Sequence, residues 1–176
     1  RIQIWDIASS RPLIALQNEG GFKSASFSPD GRKLVLSNGS AKDAYPGVML
    51  WDTVELKRTL LLPHATNVLR TSMSPDGRWI ATAADDKVVR VFNAAGGALR
   101  HTLPGHKRDI YDLKFSPDSA MLLSASADGT IRIWGMTDGA LVHNLAASQD
   151  DSYVWAASFS ASGDSITAIV GNKMRA

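Results

Sequence analysis

One short turn recurs four times along the chain, and its spacing constrains the fold more than any other feature. The strings are FSPDG (Phe27–Gly31), MSPDG (Met73–Gly77), FSPDS (Phe115–Ser119) and FSASG (Phe159–Gly163), separated by 46, 42 and 44 residues. A second mark keeps step with it: Trp5, Trp51, Phe92 and Trp134 stand 46, 41 and 42 residues apart. A period of about 40 to 45 residues is the signature of stacked units of four strands each. The turn itself supports that reading. Proline presets φ at the first central position, aspartate bonds the local backbone, and glycine accepts positive φ, so the string closes a hairpin.

Between the turns lie segments of strand length, such as IYDLKF, MLLSAS, TIRIW and ALVHNL, rich in β-branched, aromatic and aliphatic residues. Several are apolar on both faces, as in sheets covered on both sides. The 176 residues carry 44% hydrophobic and 20% charged residues, the balance of an ordinary globular domain. The formal charge is +2, and the basic residues occur as scattered pairs (Arg32–Lys33, Lys57–Arg58, Lys107–Arg108) and not as the stripe that nucleic acid needs. Nucleic acid is therefore not the expected partner. No apolar run is long enough to cross a bilayer, so no membrane insertion is expected. The absence of cysteine rules out disulfides, thiolate nucleophiles and cysteine-ligated zinc, and fits a reducing compartment, so a cytoplasmic location is expected.

At this point the sequence resembles the WD-repeat β-propeller family. The strongest match is LPGHKRDIYDLKFSPDSAMLLSASADGTIRIW (Leu103–Trp134), with a Gly-His opening, a hairpin turn, an Asp-Gly turn and a closing tryptophan in order. Trp5–Asp6 and Trp51–Asp52 keep the family's signature pair, whereas the other repeats end in Phe92–Asn93 and Trp134–Gly135. The resemblance implies an all-β fold, a propeller of four-stranded antiparallel blades. Registering the repeats gives one architectural unit over 1–176: strands c and d of a first blade (1–17), complete blades at 18–62, 63–103 and 104–147, and strands a and b of a last blade (148–176). The chain opens on RIQIWD and stops after two strands, which is read as a segment of a longer propeller. A self-closed four-blade ring and an eight-blade dimer are the other arrangements, and unpaired blade edges would allow self-association.

A serine, a histidine and an aspartate recur together, which raises the question of catalysis. The sets are His106, Ser124, Asp128 and Trp134 in one repeat and His64, Thr82, Asp86 and Phe92 in the one before, with 18 residues from histidine to hydroxyl in both. In the family such a set resembles a buried hydrogen-bond network: indole N–H to hydroxyl, hydroxyl to imidazole, imidazole to carboxylate. A hydrolase needs an accessible nucleophile and an oxyanion hole, and no GxSxG elbow occurs. The expectation is a structural staple and no enzyme. Phe92 cannot donate, so its blade is expected to be the less tightly held. The unit containing Gly20–Gly21 has Asn18 at the histidine position and Leu36 at the hydroxyl position, and is expected to rest on packing alone. His101 and His143 are read as solvated or strand-edge residues, and no metal or cofactor is expected. Asn38-Gly39-Ser40 formally matches a glycosylation acceptor, relevant only in a secretory context.

The resemblance also implies a use. Family propellers act as interaction platforms through the upper face, built from the d–a and b–c loops. The family's contact positions, three and five residues after the histidine, fall on Gly21 and Lys23, Asn67 and Leu69, Asp109 and Tyr111, Tyr153 and Trp155, with Asp85 and Ala127 adjoining. Tyr111, Tyr153 and Trp155 stand out, because aromatics with a polar edge anchor interfaces, although packing between blades would also explain them. The Ser37–Gly47 loop, the longest of its kind here, should rise on the same face. The expected function is a non-catalytic scaffold for a protein or peptide. The alternatives are a regulatory module whose catalytic domain lies elsewhere in a larger protein and, further off, a propeller-bearing hydrolase.

Overall fold

The computed structural model describes residues 2–16, 21–38, 47–147 and 152–172. Among them are sixteen strands and no helix. A hairpin of β1 (Ile2–Asp6) and β2 (Arg11–Leu16) comes first. Three antiparallel sheets follow. Blade I holds β3 (Phe22–Phe27), β4 (Lys33–Asn38), β5 (Gly47–Asp52) and β6 (Lys57–Pro63). Blade II holds β7 (Val68–Met73), β8 (Trp79–Ala84), β9 (Val89–Asn93) and β10 (Leu99–Leu103), and blade III holds β11 (Ile110–Phe115), β12 (Met121–Ser126), β13 (Thr130–Gly135) and β14 (Leu141–Ala146). A last hairpin pairs β15 (Tyr153–Phe159) with β16 (Ile166–Gly171). In each blade the strands pair in chain order, and β3, β7, β11 and β15 lie against one another as the inner strands.

The recurrent turn works as its chemistry dictates. In blade I the Gly31 N–H donates to Ser28 O (2.9 Å), and the Arg32 N–H donates to the Asp30 carboxylate (3.0 Å), with Gly31 at φ 68. The Ser28 hydroxyl accepts from the Lys33 N–H (2.8 Å), and Ser74 and Ser116 repeat this bond to Trp79 and Met121. Where the third turn has Ser119 instead of glycine, the backbone still adopts φ 61, a conformation costly for a residue with Cβ. The hydroxyl compensates: it accepts the Asp76 N–H of the neighbouring blade's turn (3.1 Å).

The core lies between sheets and not within one. Val35, Val48, Leu50 and Leu62 of blade I meet Val68, Ile80 and Phe92 of blade II. Ala81, Val89, Val91 and Leu103 of blade II meet Ile110, Leu113, Leu122 and Trp134 of blade III, and Leu123, Ala125 and Ile131 meet Val154 and Ala157. Adjacent residues such as Ile80 and Ala81, or Leu122 and Leu123, thus serve different cores, which is why these strands are apolar on both faces. The β1–β2 hairpin shares none of these cores, and Ile7 on it is 93% exposed. Among the described residues β1 pairs with β2 and β16 with β15, in separate two-stranded sheets. Asn18, Gly20, residues 39–46 of the long loop and the Asn38–Ser40 acceptor fall outside the described residues or their described side chains.

Candidate functional site: a bulged rim and the networks beneath it

Every inner strand begins with the same irregularity. The pairing jumps between Phe22 and Ser24, between Val68 and Arg70, between Ile110 and Asp112, and between Val154 and Ala156. One residue per strand is therefore extruded from the ladder: Lys23, Leu69, Tyr111 and Trp155. A β-bulge bends its strand and re-aims the extra side chain, and bulges are enriched at rims and functional sites. Four of the residues singled out by sequence thus share one structural position, repeated around the inner end of the arc.

The last two meet. Tyr111 and Trp155 stack with centroids 4.9 Å apart and planes 5° from parallel, and Tyr153 closes on the Trp155 ring edge-on at 5.5 Å. Arg108 covers Tyr153 at 5.9 Å from its centroid. All three aromatics are half-buried, so they pack against each other and still present surface. Burial, reinforced by the Asp109 carboxylate nearby, pushes the Tyr111 phenol up from its ordinary pKa. Lys23 and Asp109 are exposed and Leu69 is half-buried. Asn67 and Asp85 are tied to each other instead, the Asn67 amide donating to the carboxylate at 2.7 Å.

The residue after each of the first three bulges fastens its blade to the next. The Thr71 N–H donates to the Ser24 hydroxyl (3.2 Å), Arg70 Nε donates to Tyr111 O (2.6 Å), and the Ala157 N–H donates to Asp112 Oδ2 (3.2 Å). Sequence reasoning passed over Ser24, Arg70 and Asp112. Their even spacing was visible, but a serine, an arginine and an aspartate share no side-chain type; they share only reach toward a neighbouring backbone.

Beneath the rim, blade III holds the complete network. Trp134 Nε1 donates to Ser124 Oγ (3.0 Å), Ser124 Oγ lies 2.8 Å from His106 Nε2, and His106 Nδ1 lies 2.9 Å from Asp128 Oδ2. The Asp128 carboxylate also accepts the N–H groups of Lys107 (2.9 Å) and Thr130 (3.0 Å) and the Thr130 hydroxyl (2.6 Å). Those donors, His106 first, hold its pKa far below the usual carboxylate range even though burial alone would raise it. Ser124 is 0% exposed. Its hydroxyl is sealed from water and occupied on both sides, so it cannot meet a substrate.

Blade II departs from the expected set. His64 Nε2 does contact Thr82 Oγ1 (3.0 Å), but Nδ1 turns to Leu62 O (3.0 Å) and not to Asp86. Asp86 pairs with Arg90, at 2.6 Å from Nη2 and 3.2 Å from Nη1. The membership of Asp86 in the histidine network is thereby corrected. The cause lies in the residue before the histidine. In blade III that residue is Gly105, at φ 138, and the Arg132 guanidinium lies where its side chain would be. In blade II it is Pro63, whose fixed φ and ring deny Arg90 the same resting place, so Arg90 takes the turn carboxylate. His64 is left with a carbonyl partner and the Phe92 ring at 5.4 Å, and burial lowers its pKa. In blade I, Trp51 closes the repeat but its Nε1 is buried without a partner, because Leu36 stands at the hydroxyl position.

Of the outer histidines, His143 is exposed, but His101 is not merely solvated: its Nε2 lies 3.0 Å from Met136 O of the next blade. Among the described residues no three histidines or carboxylates converge on a point that could hold a metal ion. No helix of the described residues is long and apolar enough to cross a membrane.

The fold has counterparts in known proteins. A family model described as WD domain, G-beta repeat matches residues 55–93 and 97–135. These two adjacent stretches of the chain are WD repeats. It is 33% identical over 91 residues to COMPASS component SWD3 of Saccharomyces cerevisiae, a match covering 51% of this chain and 27% of that one. It is 30% identical over 87 residues to target of rapamycin complex subunit LST8-1 of Arabidopsis thaliana, covering 45% of this chain and 27% of that protein. The chain thus spans less than a third of the length of these two relatives. The solved structures of U3-55K and of the RRP9 WD40 repeats superpose with a TM-score of 0.70 at 19% identity. Each covers 77% of this chain, which corresponds to 42% and 41% of those chains. At that identity the likeness establishes the fold: the sheets are blades of a β-propeller.

Proposed function

We propose that this WD-repeat chain is a non-catalytic interaction scaffold that binds a protein or peptide segment on its upper face. The observation that carries the reading is the stacked Tyr111–Trp155 pair, two bulged residues of adjacent inner strands that are held rigidly and left half-exposed. Rigid aromatics offer large contact area at low entropic cost, and such residues dominate binding energy at interfaces. Tyr153 widens the apolar patch, Asp109 lies close enough to act on the Tyr111 phenol, and Lys23 carries a positive charge at the equivalent bulge of blade I. Two relatives are named as components of complexes, which agrees with a binding role. The sealed Ser124 argues against hydrolysis by the His106 set.

The test is an affinity pull-down with wild type beside the Lys23→Ala/Tyr111→Ala/Tyr153→Ala triple variant, with thermal melting measured on both. Loss of the same prey from the variant at unchanged melting temperature is the expected result. Retention of that prey at wild-type level would refute the upper-face assignment. Salt-dependent retention of the chain on DNA would point to nucleic acid instead.

A further inference from the structure

We infer that Arg132, cradled by Gly105 and flanked by Lys107, forms an oxyanion-binding subsite on the upper face that takes a carboxylate or phosphate carried on a partner side chain. Strands β9 and β13 carry arginine at the same register: Arg90 lies opposite the network hydroxyl Thr82, and Arg132 opposite Ser124. Arg90 is neutralised by Asp86. Arg132 is not neutralised, because the equivalent carboxylate, Asp128, already accepts from His106, Lys107 and Thr130.

Nothing else among the described residues replaces it. No carboxylate pairs with Arg132, its Nε is buried without a hydrogen-bond partner, and its contact is the Trp134 ring at 5.9 Å. A guanidinium that is half-buried and unpaired is a costly arrangement, and a carboxylate or phosphate meets it with two parallel charge-assisted hydrogen bonds. The surroundings fit such a guest. A Cβ at Gly105 would overlap Arg132 Nη1, so the glycine is what lets the guanidinium reach the loop. Lys107, two residues on, is exposed and has no ion-pair partner among the described residues. Of the nearby acids, Asp128 is 6% exposed at its side chain and saturated with donors, Asp86 is held by Arg90, and the exposed Asp109 makes no ion pair with Arg132 among the described residues. The partner-borne form of the ligand rests on the scaffold reading; the anion site itself does not, and it shares no residue with the triple variant.

The experiment is a nuclear magnetic resonance titration of the full chain, following the Arg132 side-chain Nε–H and the Gly105 and Lys107 amides. The probes are inorganic phosphate and two capped tripeptides, acetyl-Ala-Glu-Ala-amide and its phosphoserine counterpart. The expected result is a saturable shift of those three resonances, with at least one peptide binding about tenfold or more tighter than inorganic phosphate. Arg132→Gln should remove the shift, and Arg132→Lys, which keeps charge but loses the planar fork, should weaken it several-fold. The Trp134 indole resonance, bonded to Ser124, reports whether each variant keeps the fold. Lys107→Gln, at an exposed position, should weaken binding in a chain whose folding is not at issue. Equal shifts at Lys23 and Lys33, no shift at all, or full binding by a folded Arg132→Gln would overturn the site. Phosphate binding as tightly as both peptides would overturn the partner-borne assignment while leaving the pull-down result untouched.

Discussion

Asp128→Ala and Asp86→Ala remove the same residue of the same repeat motif, yet they should differ severalfold in cost. Asp128 accepts from a His106 side chain that is 0% exposed, so its loss strands an imidazole N–H away from water. A hydrogen bond to a charged group contributes about 1.5–3 kcal/mol, and an orphaned buried donor costs about 1–3 kcal/mol. The Lys107 and Thr130 groups can turn to solvent and add little, which places the total at about 2–4 kcal/mol. For a chain of this size each kcal/mol moves the melting temperature by about 2–4 °C, so a drop on the order of 10 °C is expected. Asp86 holds Arg90 with side chains 30% and 25% exposed and makes no hydrogen bond to His64. Pairs of that kind contribute roughly 0–1 kcal/mol, a shift of about 4 °C or less. Thermal denaturation followed by circular dichroism measures both. Equal losses, or a larger one for Asp86→Ala, would refute the account of which partner each turn carboxylate chose.

Three further outcomes follow from the same geometry. Folding favours neutral His64, because burial depresses its pKa, so its contribution is full above about pH 6.5 and is lost as the pH falls toward the folded value; His64→Gln should flatten urea stability over that window. Trp51→Phe removes an indole N–H that is buried without a partner, whereas Trp134→Phe removes the donor to Ser124, so the first should cost at least about 1 kcal/mol less by chemical denaturation. Asp112→Ala cuts the bond that receives the Ala157 N–H, and hydrogen exchange at that amide should accelerate while the Ser124 network keeps its protection.

How far such behaviour can be read from sequence depends on whether a residue's partner lies inside its own repeat. The four phased turns and the apolar strands are local matters of backbone preference and two-sided burial, and the blades follow from them. The pairing of His106 with Ser124 was legible for the same reason, since the 18-residue interval is fixed by the strands between. Asp86 was misread because the deciding residue is not in the motif at all: Pro63 displaces Arg90, and Arg90 displaces His64. The clips from Ser24, Arg70 and Asp112 were invisible because each reaches a backbone atom in another blade, which accepts or donates regardless of side-chain type. Ser119 shows both effects together, a turn position that asks for glycine locally and receives serine because the adjoining turn needs an acceptor. A repeat that copies its strands faithfully can therefore let its polar residues drift, because what must be preserved is a filled hydrogen bond and not the residue that fills it. Arg132, without the carboxylate that holds Arg90, is where that drift leaves a guanidinium unpaired, and the proposed anion site rests on that difference.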